Sequence, residues 1–100
     1  MRPVLTATLI LAVATPALAE SKRQREKRCA AQADIIAQAV EMRVENKEKV
    51  AVTTELAAAA KKKIATSVPI LVDYVYSLDE ALLEQDIRTP FEEQCNGFKQ

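Results

Sequence analysis

The residues best equipped for chemistry in this chain of 100 are two cysteines, Cys29 and Cys95. A thiol acts as nucleophile or metal ligand only as the thiolate, which needs a neighbouring base or metal. The chain contains no His. That excludes Ser/His and Cys/His nucleophile pairs, imidazole metal ligands and c-type haem attachment. The two cysteines lie 66 positions apart, so no close-spaced zinc signature exists. A single glycine, Gly97, leaves no Gly-rich loop to cradle a phosphate. The chemistry left to the pair is a bond to each other, Cys29 to Cys95, the one connectivity two cysteines allow.

Carboxylates are the other candidates. Glu41/Glu45 and Glu45/Glu48 stand at helical spacing, and Glu92/Glu93 stand beside Cys95. Paired acids do acid/base work only where burial pulls their pKa values apart, and their surroundings in the sequence read as solvated helix faces. They are not interleaved with Gly and Asn as a calcium loop requires. Tyr74 reads as a core-edge residue with its hydroxyl in water and Tyr76 as an exposed one. The expected class is therefore non-enzymatic, with no catalytic, cofactor-binding or metal-binding residue and no cofactor.

The basic run at 20–28, ESKRQREKR, carries five Lys/Arg and two acids. It has no aromatic to stack on a base and no apolar face for a membrane surface, so neither nucleic acid nor a bilayer is its expected partner. It reads as an exposed first turn or two of a helix, lying near the acidic C-terminal third once the ends are joined. Residues 73–93 carry seven acids (Asp73, Asp79, Glu80, Glu84, Asp86, Glu92, Glu93) and the single base Arg88. The stretch Arg25-Glu26-Lys27-Arg28 also matches an R-x-K-R processing site, which would leave Cys29 first.

Residues 1–19 pair one charge, Arg2, with a short apolar run and end in Ala17-Leu18-Ala19 before Glu20. A short apolar run followed by a small-x-small site predicts a signal peptide over 1–19, since a bilayer span needs roughly 20 apolar residues. The mature part, 20–100, would be a single helical domain with no stable membrane anchor. Export predicts an oxidising compartment, periplasmic or secreted, and hence a disulfide. Closing so long a loop contributes roughly 4 kcal/mol in the chain-entropy model, which matters for a domain too short to bury a large core.

The elements that must position these residues are all helical, because Ala, Glu, Lys, Gln and Leu dominate and strand-like alternation is absent. The fold class is all-α, a small bundle of three to five helices closed by one disulfide. A first helix is predicted over 21–46 with an apolar stripe at Cys29, Ala33, Ile36, Ala37, Val40 and Val44, widened by Ile35, Ala39 and Met42, and a stop at Asn46. A connector over 47–53 leads to a second helix capped by Thr53 or Thr54, carrying Leu56, Ala57, Ala60 and Ile64, with Lys61 to Lys63 in its last turns. A third helix starts at Ser67 with Leu71, Val75 and Leu78 as its inner seam. Ser77 and Glu80 stand at capping-box spacing for a further start carrying Leu82, Leu83 and Ile87. The last helix opens on Thr89-Pro90, places Phe91 and Cys95 on one face towards Cys29, and stops at Asn96-Gly97.

Cys29, Ile36, Val40, Arg43, the stretch Val75-Tyr76-Ser77-Leu78 and the final Phe91-x-x-x-Cys95 together resemble small two-cysteine helical proteins exported by proteobacteria, with Asn46 where Gly is expected. The architecture is also similar to that of periplasmic acid-stress chaperones. The resemblance implies a compartment and two readings. One is an envelope interaction protein docking on an unknown protein partner; the other is an acid- or stress-responsive chaperone. A third, from the R-x-K-R pattern, is a processed secreted helical peptide.

Overall fold

The computed structural model describes residues 20–97; the predicted signal peptide over 1–19 lies outside them. Among the described residues there are five α-helices and no strand: α1 (Lys22–Val44), α2 (Lys49–Ala59), the single turn α3 (Lys62–Ala65), α4 (Val68–Ser77) and α5 (Arg88–Gly97), with a 3₁₀ segment at Glu80–Glu84. The chain is a small helical bundle closed by a Cys29–Cys95 disulfide, Cα to Cα 5.7 Å.

α1 begins in a capping box. The Gln24 N–H donates to Ser21 Oγ at 3.0 Å and the Ser21 N–H to Gln24 Oε1 at 2.9 Å, which satisfies two donors the helix start leaves over. The helix stops at Asn46 as expected, because Asn46 adopts φ 67°. The Lys47 N–H reaches Met42 O at 3.0 Å and the Asn46 N–H reaches Arg43 O at 2.9 Å. This pair of bonds is a Schellman stop, and Asn tolerates the left-handed position it needs better than most residues. The stripe is largely as read: Cys29, Ala33, Ile35, Ile36 and Ala39 are buried. Val44 is not part of it and stands 58% exposed, because the stop turns the chain away before that side meets a neighbour.

α2 starts at Lys49, several residues before the expected cap. Thr53 and Thr54 are interior residues whose hydroxyls donate back to Lys49 O and Val50 O, at 2.8 and 3.0 Å. Threonine has this alternative to capping when packing draws its segment into a helix, and here Val52 and Leu56 go into the core. The alanine run does not carry the helix through the lysines. Ala60 is extended, ψ 155°, so Lys61 to Lys63 lie in and before α3, exposed, and not in the last turns of α2. The break reverses the chain and lets Ile64 and then Val68 return to the core.

α4 runs Val68–Ser77 as expected, with Pro69 in its first turn where no N–H is missed. It buries Val68, Leu71, Val72 and Val75, while the expected seam residue Leu78 is half-buried. Ser77 does not cap the next segment: its hydroxyl donates to Tyr74 O at 2.7 Å, and the chain from Glu80 makes only a 3₁₀ stretch with no fully buried residue. α5 starts at Arg88, ahead of the expected cap Thr89, and its capping side chain is Asp86, three residues before Thr89, whose Oδ1 accepts the Thr89 N–H at 3.1 Å. α5 lies antiparallel along the first half of α1, with Arg88 against Asp34, Cys95 bonded to Cys29 and Asn96 against Arg25. The core comes from three helices: Ile35, Ile36 and Ala39 of α1, Val52 and Leu56 of α2, and the four buried residues of α4.

Candidate functional site

Three arginines on the apolar stripe of α1 organise its surroundings. Arg25 stands four residues before Cys29, Arg28 seven before Ile35, and Arg43 seven after Ile36, so helical geometry turns all three towards the neighbouring helices. The Arg25 Nε donates to Asn96 O at 3.0 Å, satisfying a carbonyl in the last turn of α5. Arg28 grips Glu20 with both Nε and Nη2, at 2.9 and 3.1 Å, and its Nη1 stands 3.5 Å from Cys95 Sγ. That fork pulls the Glu20 carboxyl below its ordinary range and raises Arg28. The basic run is therefore divided. Lys22, Arg23 and Lys27 are exposed, while Arg25 and Arg28 are part-buried fasteners of the seam that carries the disulfide.

Arg43 forms a clamp at the other end. Its Nη1 donates to Val75 O at 2.6 Å and to Leu78 O at 2.7 Å, and its guanidinium carbon sits 5.7 Å from the centre of the Tyr76 ring. Val75 O also accepts the Leu78 N–H at 3.3 Å, Leu78 is the residue that ends α4, and a cation is favourable at such a helix C-terminus. Tyr76 is half-buried rather than exposed. Its hydroxyl donates to Lys47 O at 2.6 Å, and burial pushes its pKa up, partly opposed by Arg43. A shallow pocket of ≈ 440 Å³ lies beside the clamp, lined by Arg43, Asn46, Glu80 and Glu84 among others.

The acids singled out for acid/base work are not brought together. Glu41, Glu45, Glu48 and Glu93 are exposed. Glu92 is ion-paired with Arg88 at 2.7 Å, and Arg88 also holds Asp34 at 2.8 Å. Asp86 is held low by its bonds from Thr89. Among the described residues no charged or polar side chain is fully buried, and no three of Cys, Asp and Glu converge as metal ligands.

What α4 and α5 leave open is apolar. Tyr74 is 44% exposed and its ring centre lies 6.5 Å from that of Phe91, tilted. The two rings, with Ile87 and Pro90, line a groove of ≈ 350 Å³ whose polar edge is Asp86, Gln85 and Gln94. Ile70, one turn before Tyr74 on the same face, is 71% exposed and extends the strip. Sequence reasoning missed this groove. Its one signal was the pair Ile70 and Tyr74, four apart on a helix whose buried face, at 68, 71, 72 and 75, is already complete.

Comparison with protein-family models, with curated proteins and with solved structures gives no match. The class is thus defined by the fold and its seam. The protein is an all-α bundle whose ends are joined by a disulfide, a bond that belongs to oxidising compartments outside the cytosol. Among the described residues no helix is long and apolar enough to cross a membrane.

Proposed function

We propose that the protein is a non-enzymatic interaction module of the cell envelope, periplasmic or secreted, that docks a helical face on a larger protein. The observation that carries the reading is the apolar strip of Ile70, Tyr74 and Phe91 beside a bundle with its own separate core. Large apolar side chains clustered beside a groove mark interaction sites more often than isolated ones do. Support for the compartment comes from the disulfide together with the signal-like residues 1–19.

The test has two readouts. Intact mass of the protein recovered from an osmotic-shock fraction should begin at Glu20 and show no free thiol. A photo-crosslinking residue at position 70 should give a discrete adduct in envelope extracts, and one at Lys27 should not. A cytosolic, reduced protein retaining Met1 refutes the compartment. A chain starting at Cys29 would mark a processed peptide instead, having lost the Arg25 and Arg28 fasteners.

A further inference from the structure

We infer that the groove between α4 and α5 is a docking site for a basic amphipathic helix of a partner protein. The inference rests on the interaction reading above and names the partner's chemistry. Its apolar half follows from the strip: Tyr74 faces the Ile87, Pro90 and Phe91 wall, and Ile70, one helical turn before it on the same face of α4, continues the strip beyond the groove, a shape that suits apolar anchors at i, i+3/i+4 and i+7 of an incoming helix.

Its charged half follows from what surrounds the strip. Asp86 lines the groove, and Glu93 lies three residues after Pro90 on the same side of α5. Asp79, Glu80 and Glu84 lie on the segment leading into it, Glu80 and Glu84 beside the Arg43 clamp and not on the groove edge. All five are exposed, and among the described residues none of them makes an ion pair. The one base of the segment 73–93, Arg88, is turned away into Asp34 and Glu92, and Lys49 of α2 is taken up by Asp73 of α4. Bonds from Thr89 keep Asp86 ionised well into the acid range. An apolar strip edged by Asp86 and Glu93, with three more acids free of ion pairs on the preceding segment, attracts Lys and Arg around an apolar anchor and repels anionic lipid and nucleic acid. A second copy is a poorer occupant, because its exposed bases at Lys22, Arg23 and Lys27 sit on a turn with no apolar residue to fill the groove.

The experiment uses the oxidised protein and synthetic helical peptides of about 18 residues, Leu at i, i+3, i+4 and i+7, with either Lys or Glu at the remaining positions. Amide and side-chain NMR shifts on titration should mark Ile70, Tyr74, Ile87 and Phe91 with the Lys peptide only. Ile70→Ser, at an exposed position, should leave the melting temperature unchanged and weaken binding about tenfold, the loss of one apolar anchor. The double variant Asp86→Asn, Glu93→Gln should weaken it about two- to fivefold and flatten its salt dependence; Asn keeps the helix cap. Equal binding of both peptides, no binding of either, or shifts centred elsewhere overturns the inference. So does binding of phosphatidylglycerol vesicles through Tyr74, or self-association abolished by Ile70→Ser. A position-27 adduct with no position-70 adduct defeats the groove while leaving an interaction module standing; absence of any envelope adduct, in a protein that stays cytosolic and reduced, defeats that broader reading.

Discussion

Arg43 should be the most stabilising charged residue in the chain, and the perturbation that tests this is Arg43→Ala. The side chain donates two short bonds, 2.6 and 2.7 Å, to carbonyls at the end of α4 and lies over the Tyr76 ring. Hydrogen bonds from a charged donor contribute about 1.5–3 kcal/mol each where the acceptor is otherwise buried. These carbonyls lie at a half-open helix end and water can replace the guanidinium, so the lower end applies and part of even that is recovered. The expected loss is about 2 kcal/mol for the pair, ring contact included. For a domain of this size that corresponds to a fall in melting temperature of roughly 10 °C. Arg43→Lys should lose about half as much: both bonds leave one nitrogen, Nη1, which an ammonium can partly imitate, but the ammonium is more strongly hydrated, sits on a more flexible stem and loses the planar contact with the Tyr76 ring. Urea unfolding followed by far-ultraviolet circular dichroism measures all three proteins, with exposed Arg23→Gln as control, expected within about 0.5 kcal/mol of the parent. If Arg43→Ala falls within that same window, the clamp holds nothing and the reasoning fails. If Lys restores full stability, the charge matters and the planar guanidinium does not.

The same division applies to the basic run: Arg25→Gln with Arg28→Gln should cost about 1 kcal/mol of unfolding free energy, while Lys22, Arg23 and Lys27 changed together to Gln should cost less than about 0.5. Equal effects of the two sets would return the run to a uniformly solvated strip. Stability should be flat between pH 5 and 9, because among the described residues no ionisable group is fully buried and His is absent from the chain. Glu20 and Asp86 have depressed folded pKa values, so their contribution is present above the ordinary carboxylate range and is lost as pH falls through those depressed values, below about pH 4. Tyr76 has a raised one, so its contribution is complete below the ordinary phenol range and declines above about pH 10; urea midpoints across pH 3–11 check both limbs, and loosening near pH 6 would contradict them. Reduction of the disulfide should release α5 while amides of α1, α2 and α4 that line the core stay protected, a pattern read by hydrogen exchange. Uniform loss of protection would mean that the bond holds the whole fold.

What the sequence made legible was periodicity read over long stretches. Twenty-three residues of α1 repeat apolar positions often enough to overcome local ambiguity, and Asn46 supplies a stop whose backbone requirement few residues meet. Short-range capping patterns did less well. Thr53, Ser77 and Thr89 each have a hydroxyl that could cap, but each has a competing acceptor or an earlier cap close by: Lys49 O for Thr53, Tyr74 O for Ser77, and for Thr89 the Asp86 carboxylate. A hydroxyl's choice among them is settled by which segment finds core to bury, and that depends on distant residues. Arg25 and Arg28 were misread for a different reason. Counting charge over 20–28 averages residues on opposite sides of one helix, whereas extending the stripe upstream from Cys29 and Ile35 puts Arg25 and Arg28 on it and leaves Arg23 and Lys27 off it; Lys22 continues the stripe at the same spacing but stands in the first turn of α1, exposed.

The groove was illegible because it is made by two segments that barely share a core. α5 contains no fully buried residue; Ile87, just before it, and Phe91 only lean on a core built from α1, α2 and α4. A helix of ten residues with so little apolar burial has small stability of its own. Its place is set by polar and covalent fasteners along α1: the Cys29–Cys95 bond, Arg25 on the Asn96 carbonyl, and Arg88 on Asp34. Of these, the Arg88 pair is exposed and contributes little, and Arg25 supplies one hydrogen bond. The disulfide is the fastener that makes the arrangement persistent, since it turns docking of α5 into an intramolecular event at high effective concentration. Phe91, four residues before Cys95 and so on the same face, is thereby held 6.5 Å from Tyr74. The wall opposite Tyr74 therefore belongs to the oxidised protein, and reduction should loosen the Tyr74–Phe91 contact together with α5.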